Sequence, residues 1–204
     1  MNTVQVAGKA IAPSKIICVG RNYVAHVEEL GNELPEHMVV FGKPNSAIGR
    51  DLSAFHGDEP LHYEGEIALL IEAGKAVAAG FGLDLTKREL QSALKEKGLP
   101  WERAKAFDGA ALFSEFVPIN NEANLSLQLW VDGELRQQGG VELMMYPPNE
   151  ILDQLKAFTT LEDGDIVMTG TPAGVGQVAP GEQFTGRLLQ GTDALVEVSW
   201  QAKA

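Results

Sequence analysis

The chain has 204 residues, 45% hydrophobic and 22% charged, enough to bury one sizeable core. Its net charge of −12 argues against nucleic acid or an anionic membrane surface as partner. Cys18 is the one cysteine, which excludes an internal disulfide and a thiolate metal cluster.

The first fifteen residues, MNTVQVAGKAIAPSK, lack the long apolar core of a signal peptide, and no stretch approaches a membrane span. A cytoplasmic protein of one domain, residues 1–204, is the expectation. Residues 15–19 (KIICV) form a short apolar run ended by Gly20 and read as a buried strand. Asn22 is placed to cap a helix that runs through Leu30 and stops at Gly31. Tyr23, Val27 and Leu30 share one stripe of that helix, while His26 and Glu29 share another. A His–Glu pair of this kind serves either as a general-base unit or as an exposed contact of no consequence. Residues 38–41 read as a strand, and Lys43 beside Pro44 faces either an anion or solvent.

The run HYEGEIALLI alternates like a strand, so Glu64 and Glu66 project from one face, which continues into Ala68 and Leu70. Tyr63, Gly65, Ile67, Leu69 and Ile71 occupy the opposite face. Gly74 turns the chain into a second extended run that carries Asp84. Three carboxylates and Lys105, gathered by a sheet, suit a hard divalent cation and an anionic substrate; a surface of ordinary acids is the alternative. Thr86 with Glu89 matches a capping box for a helix whose Leu90, Ala93 and Leu94 face inward, and Arg88 and Gln91 share another of its faces. Leu125, Leu127, Leu129 and Val131 alternate, and Asp132-Gly133 signals a hairpin. Ile151, Leu155 and Phe158 mark a further amphipathic helix, and residues 166–168 a strand. The loop TGTPAGVG lacks the Gly-Lys-Ser/Thr ending of a P-loop. Its backbone N–H groups and the Thr171 hydroxyl either hold a carboxylate or make a structural turn.

Six segments in order, GRNYVAH (20–26), FGKPNSAI (41–48), HYEGEIAL (62–69), DLTKRELQ (84–91), GLPWERAKAFDG (98–109) and TGTPAGVG (169–176), resemble the fumarylacetoacetate hydrolase family. The likeness is to its short, single-domain members of the acylpyruvase type. It implies an α+β fold, a mixed and mainly β sandwich or roll with short helices, usually as a homodimer. It also implies that Glu64, Glu66 and Asp84 bind Mg²⁺ or Mn²⁺, and that Lys105, His26 and Glu29 are catalytic. The last two match a pair on a helix that closes over the site. Arg21, Arg88, Gln91 and Thr171 match substrate-binding positions for a small 2-oxo acid. The activity expected from the resemblance is metal-dependent hydrolysis of the carbon–carbon bond of acylpyruvates. The same enolate chemistry serves oxaloacetate decarboxylation, tautomerisation and the isomerisation of dienedioates. An inactive metal-binding member is the reading from another class.

Overall fold

The computed structural model describes residues 1–31 and 33–204; Asn32 lies outside the described residues. β1 (Lys15–Gly20) leads into α1 (Val24–Glu29), and the chain returns as β2 (Val39–Pro44). β3 (Gly65–Glu72) and β4 (Lys75–Asp84) form a hairpin, followed by α2 (Arg88–Glu96), α3 (Glu102–Lys105), β5 (Ala111–Phe113) and β6 (Val117–Pro118). A second hairpin, β7 (Leu125–Val131) with β8 (Glu134–Gly140), precedes α4 (Pro148–Lys156) and β9 (Ile166–Met168). β10 (Gln183–Gln190) and β11 (Asp193–Gln201) complete the set, and the remaining short strands form two-stranded pairs, one of which joins His62–Tyr63 to the distant Gly176–Gln177.

Two sheets result. The first runs β5-β4-β3-β9-β1-β2, with β6 also paired to β4; the second runs β8-β7-β10-β11. Only β9 and β1 pair in parallel within them. This is the mainly β, α+β roll with short helices that the resemblance implies.

β3 has a buried residue on each of its faces because it is central in its sheet and both sides of that sheet are covered. Ile67, Leu69 and Ile71 point between the sheets, meeting Leu127, Leu129 and Phe184. Ala68 and Leu70 point the other way, into a second core with Ile16, Cys18 and Met168. The sheets approach closely: a Cβ on Gly186 of β10 would stand 2.4 Å from the Phe81 ring, so only glycine fits there. Asp132 and Gly133 have φ of +51° and +79°, the left-handed pair that a tight hairpin turn requires.

Local expectations fail where a side chain has a better partner elsewhere. Asn22 does not cap α1. Its amide instead donates to the carbonyls of Tyr146 (3.0 Å) and Thr169 (2.8 Å) and accepts from Tyr146 N–H (2.8 Å), satisfying buried loop backbone. Thr86 and Glu89 form no capping box, for α2 begins after Lys87 with no side-chain cap, and the Thr86 hydroxyl serves Lys105. Gln91 and Leu94 are the buried residues of α2, while Ala93 is exposed. α4 buries Ile151 and Leu155 and ends before Phe158, which is exposed. Among the described residues no helix is long and apolar enough to cross a membrane.

Candidate active site and metal centre

Strand register assembles the acidic cluster. The Asp84 N–H donates to the Glu64 carbonyl at 2.9 Å, which sets these residues opposite one another at the end of the β3–β4 pair. Glu66 follows two residues along on the same face, the one that ends the second core. The three carboxylates are buried, and each offers an oxygen within 4.8 Å of the others. The ordinary-surface-acid alternative is therefore overturned.

Such a cluster survives burial only with compensating charge. Lys105, 2% exposed at the end of α3, donates to Glu64 (2.7 Å), Asp84 (2.8 Å) and the Thr86 hydroxyl (2.6 Å). Arg88 pairs with Glu64 and donates to the Gln91 carbonyl oxygen at 2.8 Å. Lys43 is 1% exposed, not solvated: its Nζ lies 2.7 Å from Asp84 Oδ1 and donates to the backbone carbonyls of Lys105 and Ala110. Burial alone would raise the Glu64 carboxyl, but Lys105 and Arg88 outweigh it and hold it well below the usual range. Glu66 goes the other way, raised by burial and by repulsion from Asp84 and Glu64, with the Gly170 N–H opposing in part. Lys105 is also raised, because Asp84 and Glu64 outweigh its burial.

Arg21, His26, Arg88, Gln91 and Thr171 line one pocket together with the triad and Lys105. Arg21 has φ of +57°, a strained value for a non-glycine residue, in the turn that presents it there. His26 is buried, with Nδ1 3.3 Å from Oε2 of Glu29, which is the exposed member of the pair. Glu29 stands behind His26, outside the pocket lining, and its other oxygen accepts from Gly174 N–H at 2.9 Å. The glycine-rich loop does hold carboxylates, and both are the protein's own: Gly170 N–H donates to Glu66 at 2.8 Å. The Thr171 hydroxyl is engaged within the loop's supports, donating to the Gly65 carbonyl and accepting from Gln137 Nε2, both at 2.8 Å.

Sequence reasoning left Lys43 open between an anion and solvent, and missed three other contributors. Lys43 lay within a quoted motif, but its burial depends on β2 pairing with β1. Lys95 follows Gln91 by four residues, a spacing that could have placed it on the pocket side of α2. Trp101 forms part of the wall beside Phe41, their ring centroids 5.7 Å apart. Gln137 had no signal; it accepts from Gly65 N–H at 2.8 Å and steadies Thr171 from β8.

The donor set fits a hard divalent cation. All three candidate ligands are carboxylates, and the buried Asp84 Oδ1 has no directed hydrogen bond despite the nearby Lys43. Mutual repulsion at Glu66 is the strain a cation would relieve.

A family model described as fumarylacetoacetate hydrolase C-terminal matches residues 15–201. Oxaloacetate tautomerase YcgM of Escherichia coli (strain K12) is 40% identical over 190 residues, 84% of this chain and 87% of the relative. A mitochondrial oxaloacetate tautomerase of Arabidopsis thaliana is 37% identical over 207 residues, 93% of each chain. The crystal structure of fumarylpyruvate hydrolase from Pseudomonas aeruginosa, in complex with Mn²⁺ and pyruvate, matches with a TM-score of 0.87. It is 30% identical and covers 98% of this chain and 95% of that one. These findings overturn the expected acylpyruvate hydrolysis: the chain lies nearer in identity to the tautomerases than to the hydrolase. The motifs could not separate the two, because both reactions handle the enolate of a 2-oxo acid.

Proposed function

Because the chain belongs to the fumarylacetoacetate hydrolase family, we propose that it is an oxaloacetate tautomerase, interconverting the enol and keto forms of that dicarboxylate. The observation that carries this is the 40% and 37% identity to two such enzymes over most of both chains.

The reaction moves one proton between C3 and the oxygen on C2. No water is added and no carbon–carbon bond breaks, so the residues need only to bind the substrate, acidify C3 and handle the proton. Glu64, Glu66 and Asp84 would hold Mg²⁺ or Mn²⁺, which when bound supplies a positive charge where negative charge develops on the 2-oxo group. Lys105, already among these carboxylates, adds an ammonium beside the same oxygen. With Glu29 accepting from Nδ1–H, His26 is held in the tautomer whose Nε2 carries the lone pair, and Nε2 takes the C3 proton and passes it to the C2 oxygen, or the reverse in ketonisation. Arg88, braced by Gln91, and Arg21 bind carboxylate oxygens, while Thr171 shapes the wall from which Glu66 is held. The pocket as it stands holds only about 30 Å³, and α1, which the Glu29–Gly174 contact ties to the glycine-rich loop, is the element whose movement would widen it for substrate.

Enol oxaloacetate, followed by its ultraviolet absorbance with Mg²⁺ or Mn²⁺ present, tests the reading. Ketonisation well above the spontaneous rate supports it, and CO₂ release without catalysed ketonisation would refute it. A homodimer in the cytoplasm, with no nucleic acid or membrane partner, completes the proposal; light scattering and cell fractionation test those parts.

A further inference from the structure

Resting on the same pocket and on the tautomerase reading, we infer that Lys95 is the specificity-determining group that receives the distal carboxylate of a four-carbon 2-oxo dicarboxylate. Arg88, Gln91 and Lys95 follow one another at three and four residues along α2, so they share the face turned to the pocket. The first two are committed inward, Arg88 to Glu64 and to Gln91 itself. Lys95 is half-buried one turn further out, and a helical side chain leans toward the turn N-terminal to it. Consistent with that lean, Lys95 is part of the lining of the inner pocket.

The position is also the way in. An outer depression of about 250 Å³ shares Leu30, Arg88, Gln91 and Lys95 with the inner pocket, so the two form one cleft divided by these four side chains. A ligand with its 2-oxo acid end at the triad leaves its far end at this division.

Charge favours a dianion there. The three carboxylates are matched by Lys43, Lys105 and Arg88, so a divalent cation, with Arg21 also in the lining, leaves the site positive, which favours a dicarboxylate over a monocarboxylate. Lys95 adds to this field: partial burial and its neighbours Arg21 and Arg88 push its ammonium toward losing its proton, with Glu64 opposing in part, and an incoming carboxylate relieves the repulsion that remains. This cationic cluster stands out in a protein of net charge −12.

Oxaloacetate and pyruvate differ only in the distal carboxylate and so isolate this contact. Their affinities, measured by calorimetry with Mg²⁺ for wild type, Lys95→Met and Lys95→Arg, test the assignment. Wild type is expected to prefer oxaloacetate. Lys95→Met should weaken oxaloacetate binding by about tenfold or more, as loss of a charged hydrogen bond predicts. Pyruvate binding should change by less than about twofold, within the cost of a surface substitution, and Lys95→Arg should retain the preference. Circular dichroism checks that the variants are folded, which is expected at this half-exposed position. A wild type with no preference, a Lys95→Met variant that keeps it, or equal losses for both ligands overturns the assignment. If the wild type shows no tautomerase turnover but its preference depends on Lys95, the tautomerase reading fails and this assignment stands.

Discussion

Glu66 and Gly170 lie 104 residues apart in the chain, yet the Gly170 N–H donates to the Glu66 carboxylate at 2.8 Å. That bond fastens the TGTP loop to the acidic strand. It also provides only one donor to a buried carboxylate that Asp84 and Glu64 repel.

Glu66→Gln should therefore abolish the rise in melting temperature that Mn²⁺ or Mg²⁺ gives the wild type, while leaving the metal-free fold at least as stable. The pH dependence has a definite sign. Glu66 holds its proton in the folded state above the pH of about 4.3 at which an ordinary glutamate releases it. Its contribution is thus fully present below that pH and is lost as pH rises toward the raised folded value. Thermal melts of metal-free protein should show stability declining over that window in the wild type and less so in Glu66→Gln; identical profiles would count against the assignment.

His26→Gln should lower kcat for oxaloacetate tautomerisation by about 10²- to 10⁴-fold, the usual worth of a positioned base. Glu29→Gln, which retains an oxygen for Nδ1–H, should cost less. Mn²⁺ affinity should be unchanged in both, since neither residue belongs to the acidic cluster. Near wild-type turnover in His26→Gln would assign the proton transfer to another group.

Lys43→Met should be among the most damaging single changes in the chain. It strips Asp84 and two backbone carbonyls of a fully buried ammonium. Removing one partner of a buried pair costs about 3–5 kcal/mol, and a denaturation midpoint close to wild type would show that Lys43 carries no such load.

Asp165 carries a second test, remote from the chemistry. Its buried carboxylate accepts from Ser14 N–H (3.1 Å), Ser14 Oγ (2.6 Å), Lys15 N–H (3.2 Å) and Glu162 N–H (2.9 Å), and pairs with Lys15 Nζ. Burial opposes ionisation, but these hydrogen bonds win and depress its pKa. Its stabilisation is present above the ordinary aspartate value of about 3.9 and is lost as pH falls through the lower folded one. Asp165→Asn should cost about 2–3 kcal/mol at pH 7, and the gap to wild type should shrink in acid. A gap independent of pH would point to shape rather than charge.

Much of the site was legible in the sequence because alternation in a strand is strict. Glu64 and Glu66 had to share a face, and Asp84 lay on the next extended run. The hairpin at Asp132-Gly133 was equally plain, since few dipeptides tolerate two left-handed residues. Helix starts were misread. Asn22 and Thr86 have capping side chains, but each found a buried partner far away in the chain, and local rules contain no such competitor.

By itself the sequence determined the carboxylate face, the core alternation and, through six ordered motifs, the family. Those depend on local geometry and on residue identity. Only the tertiary structure decided that the acids are buried, that Lys43 is a buried counter-ion, and that Gln137 supports Thr171. Each requires two sheets or two distant strands to pack, and burial is what turns a surface acid into a strained ligand and a solvated lysine into a structural one.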